Sequence, residues 1–165
     1  MTLDGTDAEG GPFSGGYIDT IGSSTMTLQR GSSSIVNCND SGAEYIGWFW
    51  CEKPGFSKFG SYSGSGTKPN FIELGFTPAW VMNKRISAAG TWIIRDNVRN
   101  PFNERDTIVE ANSTAAQSSD YAMDFVANGF VWRDTQHYTN QSGSDYIYMA
   151  FAKHPFAGTT PATAE

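Results

Sequence analysis

Short apolar runs separated by turn-forming residues constrain the fold of this chain more than any other feature. Runs rich in aromatic and β-branched side chains alternate with clusters of Gly, Ser, Asn and Asp. Such runs are typical of strands, and none has the length and Ala, Leu, Glu and Lys content of a long helix. Only residues 113–119 favour a short helix. The spacing therefore predicts an all-β fold, an antiparallel β-sandwich of jelly-roll type.

Two of the predicted strands carry more detail than the others. Residues 45–51 are apolar on both faces, so we expect this strand to lie centrally, with Trp48 and Trp50 buried. In residues 91–96, the side chains of Trp92, Ile94 and Asp96 share one face, and those of Thr91, Ile93 and Arg95 share the other. Asn128-Gly129 predicts a tight hairpin turn with positive φ angles. Further strands are expected at 56–62, 79–85, 122–126, 130–133 and 146–152.

Length and charge bound the class of protein. The 165 residues suffice for one domain with a real core, and the net charge of −6 argues against nucleic acid or an anionic membrane as partner. No apolar run is long enough for a membrane span, and the polar, Gly-rich N-terminus is unlike a secretory signal. We expect a flexible arm at residues 1–16, a single β-sandwich domain at 17–156 and a C-terminal tail at 157–165.

The two cysteines predict neither a metal site nor a disulfide. Cys38 and Cys51 could be joined only by His137 and His154, and the spacing is not that of a zinc site. A hairpin turn at Ser41-Gly42 would place Cys51 about 16–20 Å along the strand from the position facing Cys38. A disulfide needs Cα atoms within about 7 Å. We therefore predict no metal, no cofactor and no bond between the two cysteines.

A segment of the chain is repeated at an offset of 101 residues. Residues 39–46 read NDSGAEYI, and residues 140–147 read NQSGSDYI. The repeat predicts two copies of one element, a turn followed by a strand. If Trp48 and Trp50 are core residues of the first copy, deleting residues 1–52 should leave an unfolded or aggregated product.

An ordered series of motifs runs along the chain: 54–62 (PGFSKFGSY) with Gly64 and Gly66, 76–82 (FTPAWVM) with Lys84-Arg85, 90–94 (GTWII) with Asp96, Asp124-Phe125, Asn128-Gly129-Phe130 and 146–152 (YIYMAFA). This series resembles the domain found, often in tandem, in tail fibres and other virion proteins of marine bacteriophages such as cyanophages. In that comparison residues 17–54 resemble the end of one unit and residues 55–156 resemble one whole unit. The resemblance implies a virion location and homo-oligomers such as trimers, and it supplies no catalytic residues. Without a secretory signal, such a protein is expected to be made in the host cytoplasm.

Two groups of residues are candidate contacts for a glycan or a protein partner. Flat aromatic faces stack on sugar rings, and carboxylates or Arg can hold the hydroxyl groups. Trp92 with Asp96 is one such group, and Trp132 with Arg133 and Asp134 is the other. The alternative is that these tryptophans are core residues, because aromatic side chains bury large areas. No nucleophile or paired-carboxylate motif stands out, so no enzyme activity is predicted.

The leading hypothesis is a virion structural protein of tail-fibre type with a role in host attachment. It would associate with itself or with other virion proteins, and its host-side ligand would be a cell-surface glycan. One alternative is a stand-alone glycan-binding module. Another is a self-assembling surface, filament or capsid-decoration subunit, in which a neighbour donates a strand to an incomplete sandwich.

Overall fold

A computed structural model describes residues 6–8, 17–29, 41–157 and 160–161. All regular elements of these residues are β-strands, and their pairings are antiparallel, which confirms the predicted fold class. The expected helix at 113–119 is absent, because its last residues begin a strand. The strands are β1 (Tyr17–Ile21), β2 (Met26–Gln29), β3 (Ser57–Ser63), β4 (Asn70–Glu73), β5 (Pro78–Arg85), β6 (Ile93–Asp96), β7 (Arg105–Glu110), β8 (Ser118–Val126), β9 (Gly129–Trp132), β10 (Asp145–Ala152), β11 (Phe156–Ala157) and β12 (Thr160–Pro161).

The chain divides into two compact units, residues 10–50 and residues 1–9 with 51–165. In the first unit, β1 pairs with β2. Residues 41–42 form a turn, and residues 43–52 then run without regular secondary structure. The predicted central strand at 45–51 is therefore wrong: the side chains of Trp48 and Trp50 are 75% and 58% exposed. A run of apolar residues becomes a strand only where neighbouring strands satisfy its backbone groups.

The repeated segment forms the same turn in both copies but a strand in only one. Gly42 has a φ of 80° and Gly143 a φ of 73°, the left-handed conformation that glycine adopts most readily. After the second turn the chain becomes β10, which is paired along its length with β3 on one side and β5 on the other. The prediction of two equal elements therefore holds for the turn and fails for the strand.

The second unit is built on one eight-stranded sheet with the order β3-β10-β5-β6-β7-β8-β9-β4. The sheet curls so that its two edge strands approach each other. Lys58 of β3 donates from Nζ to the carbonyl oxygen of Glu73 in β4 at 3.1 Å, and Asn70 of β4 donates to the carbonyl of Ser63 at 3.4 Å. The inward face forms the core, which comprises Ile72, Leu74, Phe76, Val81, Met123, Phe125, Phe130, Trp132, Tyr148 and Ala150.

The hairpin predicted at 122–133 is confirmed, but its turn lies one residue earlier than expected. Val126 pairs with Gly129, so Ala127 and Asn128 form the connection, and Asn128 lacks the predicted positive φ. Gly129 instead opens β9 with a φ of 158°. A Cβ atom there would lie 2.1 Å from the carbonyl oxygen of Ile72 in β4. Glycine is thus required by the close approach of a third strand.

Both chain ends contain contacts that their composition did not predict. In the predicted arm, the carbonyl of Thr6 accepts a hydrogen bond from the backbone N–H of Gly90 at 2.7 Å. In the predicted tail, β11 pairs with β12.

Cys51 is an exposed free thiol, and Cys38 lies outside the described residues. The absence of a disulfide between them stays a prediction, which intact-mass analysis without reductant would check.

Candidate functional site

The outward face of the sheet carries a continuous row of apolar side chains. Strand register places one residue from each of five adjacent strands in line, so that their side chains point to the same face. All five side chains are half-buried. We call this set the outer row; it consists of Phe59 of β3, Met149 of β10, Met82 of β5, Ile94 of β6 and Val109 of β7.

The outer row is unusual for a sheet face that meets water. Along β10 the buried side chains of Tyr146, Tyr148 and Ala150 alternate with the half-buried ones of Ile147, Met149 and Phe151. A strand at the surface of an antiparallel sheet normally alternates apolar with polar residues. Here the outer row is apolar as well and each of its side chains is partly accessible, and contiguous apolar patches at a surface are typical of interaction surfaces. The outer row is therefore the first candidate for a contact surface.

A cleft of about 380 Å³ lies beside the outer row and is lined by Trp80, Asp96, Val98 and Arg99. Trp80 and Asp96 are direct neighbours across β5 and β6. The Asp96 carboxylate accepts hydrogen bonds from the backbone N–H groups of Val98 and Arg99 at 2.9 and 2.8 Å. It also forms an ion pair with the Arg99 guanidinium. The cleft combines an indole with fixed charged groups.

The two residues of the first predicted contact group lie far apart in the structure. Trp92 and Asp96 are half-buried, as expected for two residues on one face. They are four residues apart along an extended chain, however, which separates them by about 13 Å. The indole of Trp92 lies under Lys84, whose Nζ is 5.6 Å from the ring centroid. Trp80, which the sequence reasoning missed, is the tryptophan beside Asp96.

The second predicted group does not form an open aromatic surface. Trp132 is 0% exposed and belongs to the core, so its ring has no free face for a sugar. Arg133 pairs with the buried carboxylate of Asp124, at 2.5 Å from Nη2 to Oδ2. Asp134 accepts hydrogen bonds from the backbone N–H of Gln136 and the hydroxyl of Thr139.

A polar cluster lies within the curled sheet around Arg95, another residue that the sequence reasoning left aside. Arg95 is 1% exposed, and its guanidinium lies 4.9 Å above the ring of Trp132. Its Nη2 donates to the backbone carbonyls of Asp120 and Tyr121. Burial lowers the pKa of Arg95 to about 10, partly offset by the carboxylate of Asp134. The alternation in residues 91–96 placed the side chains of Arg95 and Trp92 on different faces of the strand. This pattern is the sequence signal for the position of Arg95.

Within the described ranges, no group of three or more His, Cys, Asp or Glu side chains could hold a metal ion. The same residues include no helix that could span a bilayer.

Fold and surface together define an all-β domain with an apolar outward sheet face. The chain matches the model of a domain of unknown function, DUF7483, over residues 1–155, and it therefore belongs to the DUF7483 family. No curated protein and no solved structure matches it.

Proposed function

We propose that the chain is a structural domain of a bacteriophage virion, of tail-fibre type, which assembles with further copies through its outward sheet face. The observation that carries the assembly role is the outer row, which replaces the polar residues of a solvated face with Phe, Met, Ile and Val. The virion location is supported by the motif series of the tail-fibre domain at residues 54–152.

Mass spectrometry and immunogold electron microscopy of purified particles test this proposal. We expect peptides of the chain in particles that have been purified through a density gradient, and gold label on the tail. Label on the capsid would favour the decoration subunit instead. Recovery of the chain only from the soluble host fraction would contradict a virion role.

A glycan-binding module is the second candidate function, and the Trp80 cleft is the observation that favours it. An indole beside a carboxylate and a guanidinium can stack on a sugar ring and bind its hydroxyl groups. Binding to cell-surface sugars is also compatible with a fibre that attaches to a host. The indole of Trp80 contacts the ring of Phe151 at a centroid distance of 5.7 Å, so its orientation is held by the sheet.

A glycan array, followed by titration of tryptophan fluorescence with the best ligand, tests this second function. Trp80→Ala should weaken binding by about tenfold or more, which corresponds to about 1.4 kcal/mol. Trp92→Ala is the matched control, since it removes a half-buried indole from the same face but away from the cleft. Equal losses in both variants, or no sugar bound by the parent, would contradict the cleft as a sugar site.

A further inference from the structure

Residues 45–50 form a second apolar feature, which we call the aromatic segment. Its sequence is YIGWFW, without a charged side chain. All of these residues are exposed, with Ile46 at 84%, Trp48 at 75% and Phe49 at 69%. Together with Met26 and Leu28 of β2, residues 45–49 line an open hollow of about 430 Å³. Leaving several large apolar side chains in water is costly, at about 1.5–3 kcal/mol for each one that could be buried.

The aromatic segment has the sequence of a strand but lacks the neighbours of one. Its counterpart in the repeat is β10, which begins after the same glycine turn and is flanked by two strands. Residues 46–52 take part in no β-pairing among the residues that the structure describes. The segment is thus an apolar stretch without regular secondary structure, whose counterpart in the repeat is held between neighbouring strands.

The outer row and the aromatic segment match in length. The outer row crosses five adjacent strands, and four steps of about 4.8 Å between strands make it about 19 Å long. The aromatic segment has six residues, which would span about 20 Å in the extended conformation of a strand at about 3.3 Å each. Neither surface contains a charged side chain, although the chain as a whole carries a net charge of −6. Contact between them would bury apolar groups of both without bringing like charges together.

We propose that the aromatic segment of one copy packs across the outer row of a second copy. The inference rests on the assembly role proposed above and names the surfaces that would carry it. The proposed contact is head-to-tail: each copy places its aromatic segment on one neighbour and receives the segment of another neighbour on its outer row. Head-to-tail contacts build rings or filaments, which is the kind of assembly that a fibre subunit needs. One contact would cover both apolar features.

Light scattering after size-exclusion chromatography, over a concentration series of the full chain, tests this contact. The parent should show a mass that rises with concentration above the 18.0 kDa of one copy. Trp48→Glu damages the aromatic segment, and Met82→Glu damages the outer row; each variant alone should remain monomeric. Phe71→Glu is the matched control, because Phe71 is 50% exposed on β4, outside both surfaces, and should assemble like the parent.

Mixing the two damaged variants gives the decisive result. The Met82→Glu copy keeps an intact segment and the Trp48→Glu copy keeps an intact row, so an equimolar mixture should form a dimer of about twice the mass and stop there. Melting curves establish that both variants are folded, and Val109→Glu, at the end of the row, replaces Met82→Glu if that variant unfolds.

Every other result would overturn the contact. Disruption by Met82→Glu alone would mean that two outer rows meet face to face. Disruption by Trp48→Glu alone would mean that two segments pair with each other. A parent that is monomeric at all concentrations, or two monomeric variants that stay apart when mixed, would exclude it. Detection of the chain in virions is a separate measurement, so the virion role and this contact can fail independently.

Discussion

At the scale of single residues, two tyrosines connect the sheet to the loop before β10. Tyr62 of β3 and Tyr146 of β10 stack with ring centroids 4.9 Å apart. The hydroxyl of Tyr62 donates to the carbonyl of Thr139 at 2.8 Å, and that of Tyr146 donates to the carbonyl of His137 at 2.9 Å. Burial raises the pKa of Tyr62 well above 10, and it also raises the pKa of Tyr146. Ionisation of these phenols therefore opposes the folded state.

This pair predicts a loss of stability in alkaline solution. Because the folded pKa of Tyr62 is raised, the unfolded chain releases the proton first, and the stabilisation that is complete below about pH 10 falls as pH rises further. Melting temperatures between pH 8 and 11 should fall less steeply for Tyr62→Phe than for the parent. At neutral pH the variant should lose about 1 kcal/mol with its hydrogen bond.

Arg95 also titrates in alkaline solution and is coupled to Tyr62. The pKa of this buried guanidinium is lowered to about 10, so it acts in the opposite direction: the unfolded chain binds the proton more tightly, and stability gains from deprotonation of Arg95 as pH rises above about 10. Both proteins retain Arg95, but Tyr62→Phe removes one of the groups that raise the pKa of Arg95, so the slopes report on the coupled pair. Equal slopes in the two melting series would show that Tyr62 does not contribute to the alkaline loss.

At the scale of elements, strand neighbours decide what a local sequence becomes. The Asn-Gly pair that favours a tight hairpin lies where the turn meets β9, and its glycine belongs to β9 and not to the turn. Gly129 lies against β4, where it pairs with Glu73. Its missing side chain lets the backbone of β4 come close. The position of the turn therefore follows from a contact between three strands.

Substitution of Gly129 by alanine should lower the free energy of unfolding more than substitution of a glycine that has a positive φ but open space around it. In Gly129→Ala the new Cβ would lie 2.1 Å from a backbone oxygen, which requires β4 to move and should cost about 3 kcal/mol. Gly75→Ala is the control, since it has a φ of 85° but no atom within 4 Å of the added carbon. It should cost about 1 kcal/mol. Urea unfolding of both variants measures the difference, and equal costs would refute the steric explanation.

At the scale of the whole molecule, the core belongs to one of the two units. All residues of the described hydrophobic core lie between Ile72 and Ala150. Trp48 and Trp50, which the sequence assigned to the centre of the domain, are exposed. Deleting the first part of the chain should therefore spare the core, contrary to the expectation from the sequence.

Residues 51–165 alone should fold. We expect cooperative thermal unfolding, β-type circular dichroism and a strictly monomeric species, because the aromatic segment is absent. Loss of the hydrogen bond between Thr6 and Gly90 should cost about 1 kcal/mol. An aggregated product, or a gradual melting curve, would show that residues 1–50 contribute to the folding of the sheet after all.

The sequence by itself determined the strands whose pattern is local. The strand at 91–96 was predicted from alternation, β10 from its apolar run, and the hairpin of β8 and β9 from the Asn-Gly pair between two apolar runs. The same alternation placed the side chains of Arg95 and Trp92 on opposite faces of the sheet. Tertiary structure decided which of the two faces was buried, and so placed Trp132 in the core and Trp80 beside Asp96.

Only tertiary structure could distinguish the two copies of the repeat. Both contain the turn glycine and the Tyr-Ile pair, and both have the composition of a strand. One lies between β3 and β5, where its backbone groups are paired, and the other has no strand beside it among the described residues. A strand is stabilised by hydrogen bonds to residues that are distant in the sequence. Its own residues can therefore favour the extended conformation but cannot supply the partner.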